Sequence, residues 1–186
     1  MKKFILVIVL ALTSQYTFAQ NAFAKRVPAS KKVIPALVLD VFDEAYPGVL
    51  VKGWYVTHIT YWYNDVSSGW YSDWYPKPPD VIFVYEQPNF FEVEFIEDPG
   101  ELSRAIYNRY GYWYETRTQI RGLPEKVVNA LKNSEYGAWK RSTMTEKIDS
   151  NEWPEAVYRF KVNKGMKSMI LKMNANGDFV QEMSLE

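Results

Sequence analysis

Apolar and polar positions change their spacing several times along the chain, and each change marks an element. Ile34, Leu37, Val38, Val41, Phe42 and Ala45 recur at the three-and-four spacing of one helical face. Pro35 stands where a first helical turn has no use for its missing N–H, and Pro47-Gly48 ends the element. From residue 49 the period shortens to two. Segments 49–63, 70–75, 81–85, 90–96, 102–107 and 112–120 are rich in β-branched and aromatic residues, with turn formers between them at 64–69, 76–80, 87–89, 97–101 and 108–111. Connections this short allow antiparallel pairing and no crossovers. A second stripe, Leu123, Val127, Ala130 and Leu131, predicts another helix, opened by Pro124 and closed by Gly137. Strands then resume over 139–148, 156–162, 166–173 and 178–183.

The first residues have a different pattern. Lys2 and Lys3 precede an apolar run over 4–12, and Thr17-Phe18-Ala19 places small residues at −3 and −1 of a cut after Ala19. This is the layout of a secretory signal at 1–19. The run is shorter than the roughly 20 residues of a membrane span. Residues 20–32 are small, basic and irregular, and read as a linker. Losing Lys2 and Lys3 turns a balance of 22 basic and 22 acidic residues into a net charge of −2. That is not the composition of a nucleic-acid binder. The chain has no cysteine, so an exported form in the periplasm or outside the cell rests on its core rather than on disulfides.

The two helical segments and the strands after them look alike. At a shift of 89 residues, Ile34-Pro35 lies over Leu123-Pro124, Val38 over Val127, Phe42 over Leu131 and Gly48 over Gly137. At a shift of about 65, Phe91-Glu92-Val93-Glu94-Phe95 lies over residues 156–160, and Asn108-x-x-Gly111 over Asn174-x-x-Gly177. The predicted fold is α+β: a tandem repeat of a helix followed by an antiparallel meander, with helices on one sheet face and the other face open. The units are 33–121 and 122–186. The first carries an insertion at about 54–80.

The apolar-Pro helix start, Tyr46-Pro47-Gly48, the Phe-x-Val-x-Phe strand and the Asn-x-x-Gly hairpin, all repeated, resemble the PepSY-like proteins. These are also described as beta-lactamase-inhibitor-like and are common among small exported proteins of Bacteroidetes. The resemblance covers residues 32–186. It implies helices packed on one face of an antiparallel sheet, with the other face binding or inhibiting proteins. It implies no catalytic residue. The residues themselves offer no cofactor site, and a zinc site needs more soft ligands than this chain has.

The insertion is the chemically distinctive segment. Trp54, Tyr55, Tyr61, Trp62, Tyr63, Trp70, Tyr71, Trp74 and Tyr75 place nine rings in 22 residues. Alternation sorts them into two rows, and only one row can pack beneath helices. The rings either brace a hairpin by cross-strand pairing or form an amphipathic gripping surface. As partner contacts the candidates are Trp62, Trp70 and Trp74, followed by Tyr71 and Tyr75. Catalysis has weaker support. His58 is the only histidine and there is no G-x-S-x-G turn. Glu92 and Glu94 alternate with Phe91, Val93 and Phe95, which places them on the solvated face of a strand. Glu97, Asp98 and Glu101 cluster in a turn without the ligand spacing of a strong calcium loop. The sequence therefore reads as a binding module for a protein or peptide, with hydrolase inhibition as its specific form. A glycan-binding module using the aromatic strip is the second reading, and a carboxylate-dependent hydrolase the third.

Overall fold

The computed structural model describes residues 27–57, 90–97 and 100–184. Among these residues nine strands form one sheet whose spatial order is their order along the chain. They are β1 (Val27–Ala29), β2 (Leu50–Thr57), β3 (Phe90–Glu97), β4 (Glu101–Asn108), β5 (Trp113–Ile120), β6 (Lys140–Ser150), β7 (Val157–Lys164), β8 (Lys167–Asn174) and β9 (Phe179–Ser184). Every neighbouring pair is antiparallel. Two α-helices occur among the described residues, α1 (Ala36–Ala45) between β1 and β2 and α2 (Glu125–Asn133) between β5 and β6.

This overturns the expected tandem repeat of helix and meander. The last strand of the supposed first unit, β5, is bonded to the first strand after α2, β6, through six register pairs from Glu115↔Ser150 to Ile120↔Thr145. Backbone hydrogen bonding therefore runs through the position where a seam was expected. The matching residues are helix openings, helix stripes, an alternating strand and hairpin turns, all local devices that do not depend on where one sheet ends. The sheet also begins earlier than the sequence suggests. Val27, Pro28 and Ala29, in the stretch read as a linker, pair with Val56, Tyr55 and Trp54.

Both helices lie over the same sheet face. On α1, Val38 and Phe42 are buried, with Ile34 just ahead of the helix, against Trp54, Phe91, Val93, Phe95, Ala105 and Tyr107. On α2, Val127 is buried against Phe160, Val162, Leu171 and Met173, and Leu131 is half-buried. The stripe on α1 is narrower than its sequence pattern: Leu37 and Ala45 are exposed.

Two hairpin turns explain how closely sheet and helices approach. In each, an Asn Oδ1 accepts backbone N–H groups of the turn: Asn108 from Tyr110 and Tyr112, and Asn174 from Asn176 and Asp178. The glycine three residues after each Asn, Gly111 or Gly177, has a φ of +76° or +93°. A β-carbon on Gly111 would lie 3.0 Å from Leu37 Cγ, and one on Gly177 would lie 2.6 Å from Ala130 Cβ. Only glycine satisfies both the left-handed backbone and the helix pressed against it. Gly177→Ala is therefore expected to destabilise by more than about 1 kcal/mol. Gly165→Ala, in a turn with open space around it, carries the backbone strain alone and serves as the comparison. Equal midpoint shifts for the two variants in urea would show that the helix contact contributes nothing.

Candidate interaction face

Strand alternation sends every second side chain to the face away from the helices. On β3 these are Phe90, Glu92, Glu94 and Ile96; the residues between them join the α1 core. Register carries the first set across the sheet in successive lines on that face. Glu94, Arg104, Arg117, Ile148, Val157 and Asn174 form one cross-strand line. Gln119, Glu146, Arg159, Lys172 and Gln181 form the next.

This face is not a solvated polar surface. Glu92, Arg104, Glu115, Arg117, Glu146 and Arg159 are all buried, with Glu146 at 0 % exposure. That corrects the reading of Glu92 as a strand-face carboxylate in water; Glu94 is half-buried. The charges are matched. Arg104 Nε donates to Glu92 Oε1 at 2.6 Å, and Arg117 Nε to Glu115 Oε1 at 2.5 Å. Arg159 Nη2 donates to both carboxylate oxygens of Glu146, at 2.5 and 2.7 Å. Arg117 Nε stands 4.0 Å from Glu146 and links two of the pairs. Ile106, Ile148, Val157 and Ile170 fill the same face and are equally buried.

Buried ion pairs add little net stability, because desolvation offsets their attraction. They do penalise misregistration. Slipping a strand by one residue would move Glu146 or Arg159 into the apolar side beneath α2. The lattice thus holds this face in one arrangement.

At the β7–β9 end the face changes character. Lys172 is half-buried, and its ammonium lies 5.2 Å from the centre of the Trp153 ring, which comes from the β6–β7 loop. Burial first, and then the nearby Arg159 and Arg117 guanidiniums, lower its pKa to about 8; Glu115 and Glu146 oppose this. Trp153 also walls a cleft of about 230 Å³ with Pro154, Val157 and Val180, rimmed by Glu155, Asn174 and Asn176. On the helix side, Tyr136 donates to Glu182 Oε2 at 2.5 Å, and that bond, helped by burial, pushes its hydroxyl up to about 12.

No protein-family model matches the sequence, and no curated protein matches it. Solved structures do. A BLIP-like protein from Bacteroides fragilis superposes with a TM-score of 0.57 at 16% identity, covering 81% of this chain and 86% of that one. The chain has a beta-lactamase-inhibitor-like fold. A DUF2874 family protein from Bacteroides ovatus shares that inhibitor-like fold with a TM-score of 0.53 at 16% identity, covering 81% of this chain and 86% of its own. A protein from Bacteroides eggerthii with a provisional periplasmic designation matches at a TM-score of 0.51 and 13% identity, covering 81% and 88%. These relatives support the inhibitor-like half of the resemblance seen in the sequence and not its PepSY half.

Within this inhibitor-like fold the sequence-based contact candidates fall unevenly. Trp62, Trp70, Tyr71, Trp74 and Tyr75 lie outside the described residues, as do His58 and Asp98. Trp54, at the start of the insertion, is a core residue that meets Phe42 edge-on at 5.4 Å. Tyr55 faces the other way, beside Glu92 across the strand pair. Among the described residues no three acidic or histidine side chains gather to hold a metal. Sequence reasoning passed over Arg104, Arg117, Glu146, Arg159, Lys172 and Trp153. The available signal was the opposite charges at alternate positions of successive strands, visible only once register is known.

Proposed function

We propose that the protein is an exported, non-catalytic module that recognises a protein or peptide, with hydrolase inhibition as the specific form of that recognition. The observation that carries this reading is the sheet locked by three buried Glu–Arg pairs on its face away from α1 and α2. Those charges are themselves hidden, but the scaffold they order in advance loses little entropy when its exposed groups bind. The fold shared with a BLIP-like protein supports a protein as the partner. The signal pattern at 1–19 and the periplasmic designation of one fold relative support export. No helix among the described residues is long and apolar enough to cross a membrane.

The aromatic insertion supplies the contacts in this reading. Thr57 and Phe90, the described residues that bracket most of it, are register partners on the side of the sheet away from α1 and α2. Trp62, Trp70 and Trp74, followed by Tyr71 and Tyr75, offer large amphipathic rings of the kind that dominate binding hot spots. The test shortens residues 61–75 to a two-residue turn. The variant is expected to unfold cooperatively near the wild-type temperature yet lose the defined partner that wild type captures from its native exported proteome. A variant that cannot fold would return these rings to the core. Binding to a glycan array that disappears with Trp70→Ala would make the ligand a sugar, and turnover of a substrate by the purified protein would overturn the non-catalytic reading.

A further inference from the structure

The Trp153–Lys172 corner combines three features. The first is a cation with an incomplete electrostatic environment. Among the described residues Lys172 makes no salt bridge, and its ammonium packs over the Trp153 ring instead. The groups facing it are Arg159 on β7, Arg117 and Glu115 on β5, Glu146 on β6 and the uncharged Gln181 on β9. Both carboxylates in that set are already bonded to the two arginines. The second feature is the adjoining cleft. Its volume, about 230 Å³, falls below the about 300–1,000 Å³ that encloses a drug-sized molecule. It is on the scale of a single side chain, and its Val157, Val180 and Pro154 surfaces suit an apolar one. The third feature is Glu155, exposed on the rim and hydrogen-bonded to Asn176 Nδ2 at 3.4 Å. Its charge repels an acid on that side of the cleft and leaves the Lys172 side as the favourable one.

We propose that this corner is a docking site for an extended peptide segment that places an apolar side chain in the cleft and a carboxylate side chain on Lys172, two residues apart. The spacing comes from geometry. Trp153 lines the cleft and also holds the ammonium 5.2 Å from its ring centre, so the two subsites adjoin across one indole. Residues i and i+2 of an extended chain point the same way and lie about 6–7 Å apart. A carboxylate there forms a charge-assisted hydrogen bond with Lys172 and relieves the repulsion from Arg159 and Arg117. This site deepens the peptide-recognition reading above and rests on it only for the claim that the natural occupant is a polypeptide.

Binding also couples to protons. Lys172 titrates near pH 8 because charging it is unfavourable in the free protein. An adjacent carboxylate favours the charged form, so the bound state takes up a proton above that pH and affinity falls as pH rises through 8.

The experiment is titration of the isotope-labelled mature chain with blocked peptides containing Leu-Ser-Glu or Leu-Ser-Gln, followed by amide and indole NMR shifts. The Glu peptide is expected to perturb Trp153 and β8 and to bind at least tenfold tighter than the Gln peptide at pH 7. That preference should shrink by pH 9.5, survive in Lys172→Arg and vanish in Lys172→Met. Lys172→Met removes a cation that is costly to charge, so its thermal unfolding should not fall below wild type, and loss of binding cannot be assigned to unfolding. Equal binding of the two peptides, or no shift at Trp153 at millimolar concentration, overturns the site. If the exported partner is still captured in that case, the general binding reading stands without this site. If the peptides bind as expected but no exported partner exists, the site stands and the broader reading falls.

Discussion

Replacing Glu146 with alanine should cost about 3–5 kcal/mol, a large share of the roughly 5–15 kcal/mol that holds a domain folded. Glu146 is fully buried, and both of its oxygens accept from Arg159, itself 2% exposed. Removing the carboxylate leaves a guanidinium in the interior without its bidentate partner, and Arg117, 4.0 Å away, loses attraction as well. The double replacement Glu146→Met with Arg159→Met removes both charges and should sit within about 1 kcal/mol of wild type or above it. An exposed pair provides the scale. Lys147 and Asp149 lie 2.8 Å apart but are more than a third exposed, so Asp149→Asn should cost less than about 1 kcal/mol. Urea denaturation of the four proteins decides the matter. If Glu146→Ala unfolds at the same midpoint as Asp149→Asn, the lattice is wetter than its burial states.

The second large effect belongs to Phe42. Its ring is 1% exposed and stands edge-on to Phe95 at 5.1 Å, Trp54 at 5.4 Å and Tyr107 at 6.5 Å, with Tyr46 at 5.4 Å. Phe42→Ala opens a cavity between α1 and the strands beneath it, with an expected loss of about 3–5 kcal/mol. Leu131 occupies the corresponding place on α2 but is only half-buried, so Leu131→Ala should lose less, about 2 kcal/mol or below. Chemical denaturation that ranks Leu131→Ala above Phe42→Ala would show that the α2 side, not the α1 side, holds most of the packing energy.

The comparison of those two residues shows how far the sequence could be read. Spacing placed both on an apolar helical stripe, and both do face the sheet. It could not say that Phe42 lies in a ring cluster while Leu131 lies at a margin, because that depends on which strand passes beneath each helix. Glu92 shows the same limit on the other side. Alternation sent it away from Phe91 and Val93, correctly. Whether that face meets water or a guanidinium depends on Arg104, twelve residues away and brought close by the β3–β4 register.

The strands expected at 70–75 and 81–85 lie outside the described residues. By itself the sequence determined the periods of the described strands from β2 onward, the two helices, the hairpin turns at Asn108 and Asn174 and the likeness to an inhibitor-like fold. All of these rest on interactions within a few residues, or on patterns that repeat at a fixed spacing. Only the tertiary structure decided that the strands join into one sheet instead of two units, since backbone pairing between β5 and β6 leaves no mark on side-chain pattern. It alone decided that the face away from α1 and α2 buries three Glu–Arg pairs and sets Lys172 against Trp153. A polar residue at an alternating position satisfies its charge equally well with water or with an opposite charge on the next strand, and the choice between them is made by register.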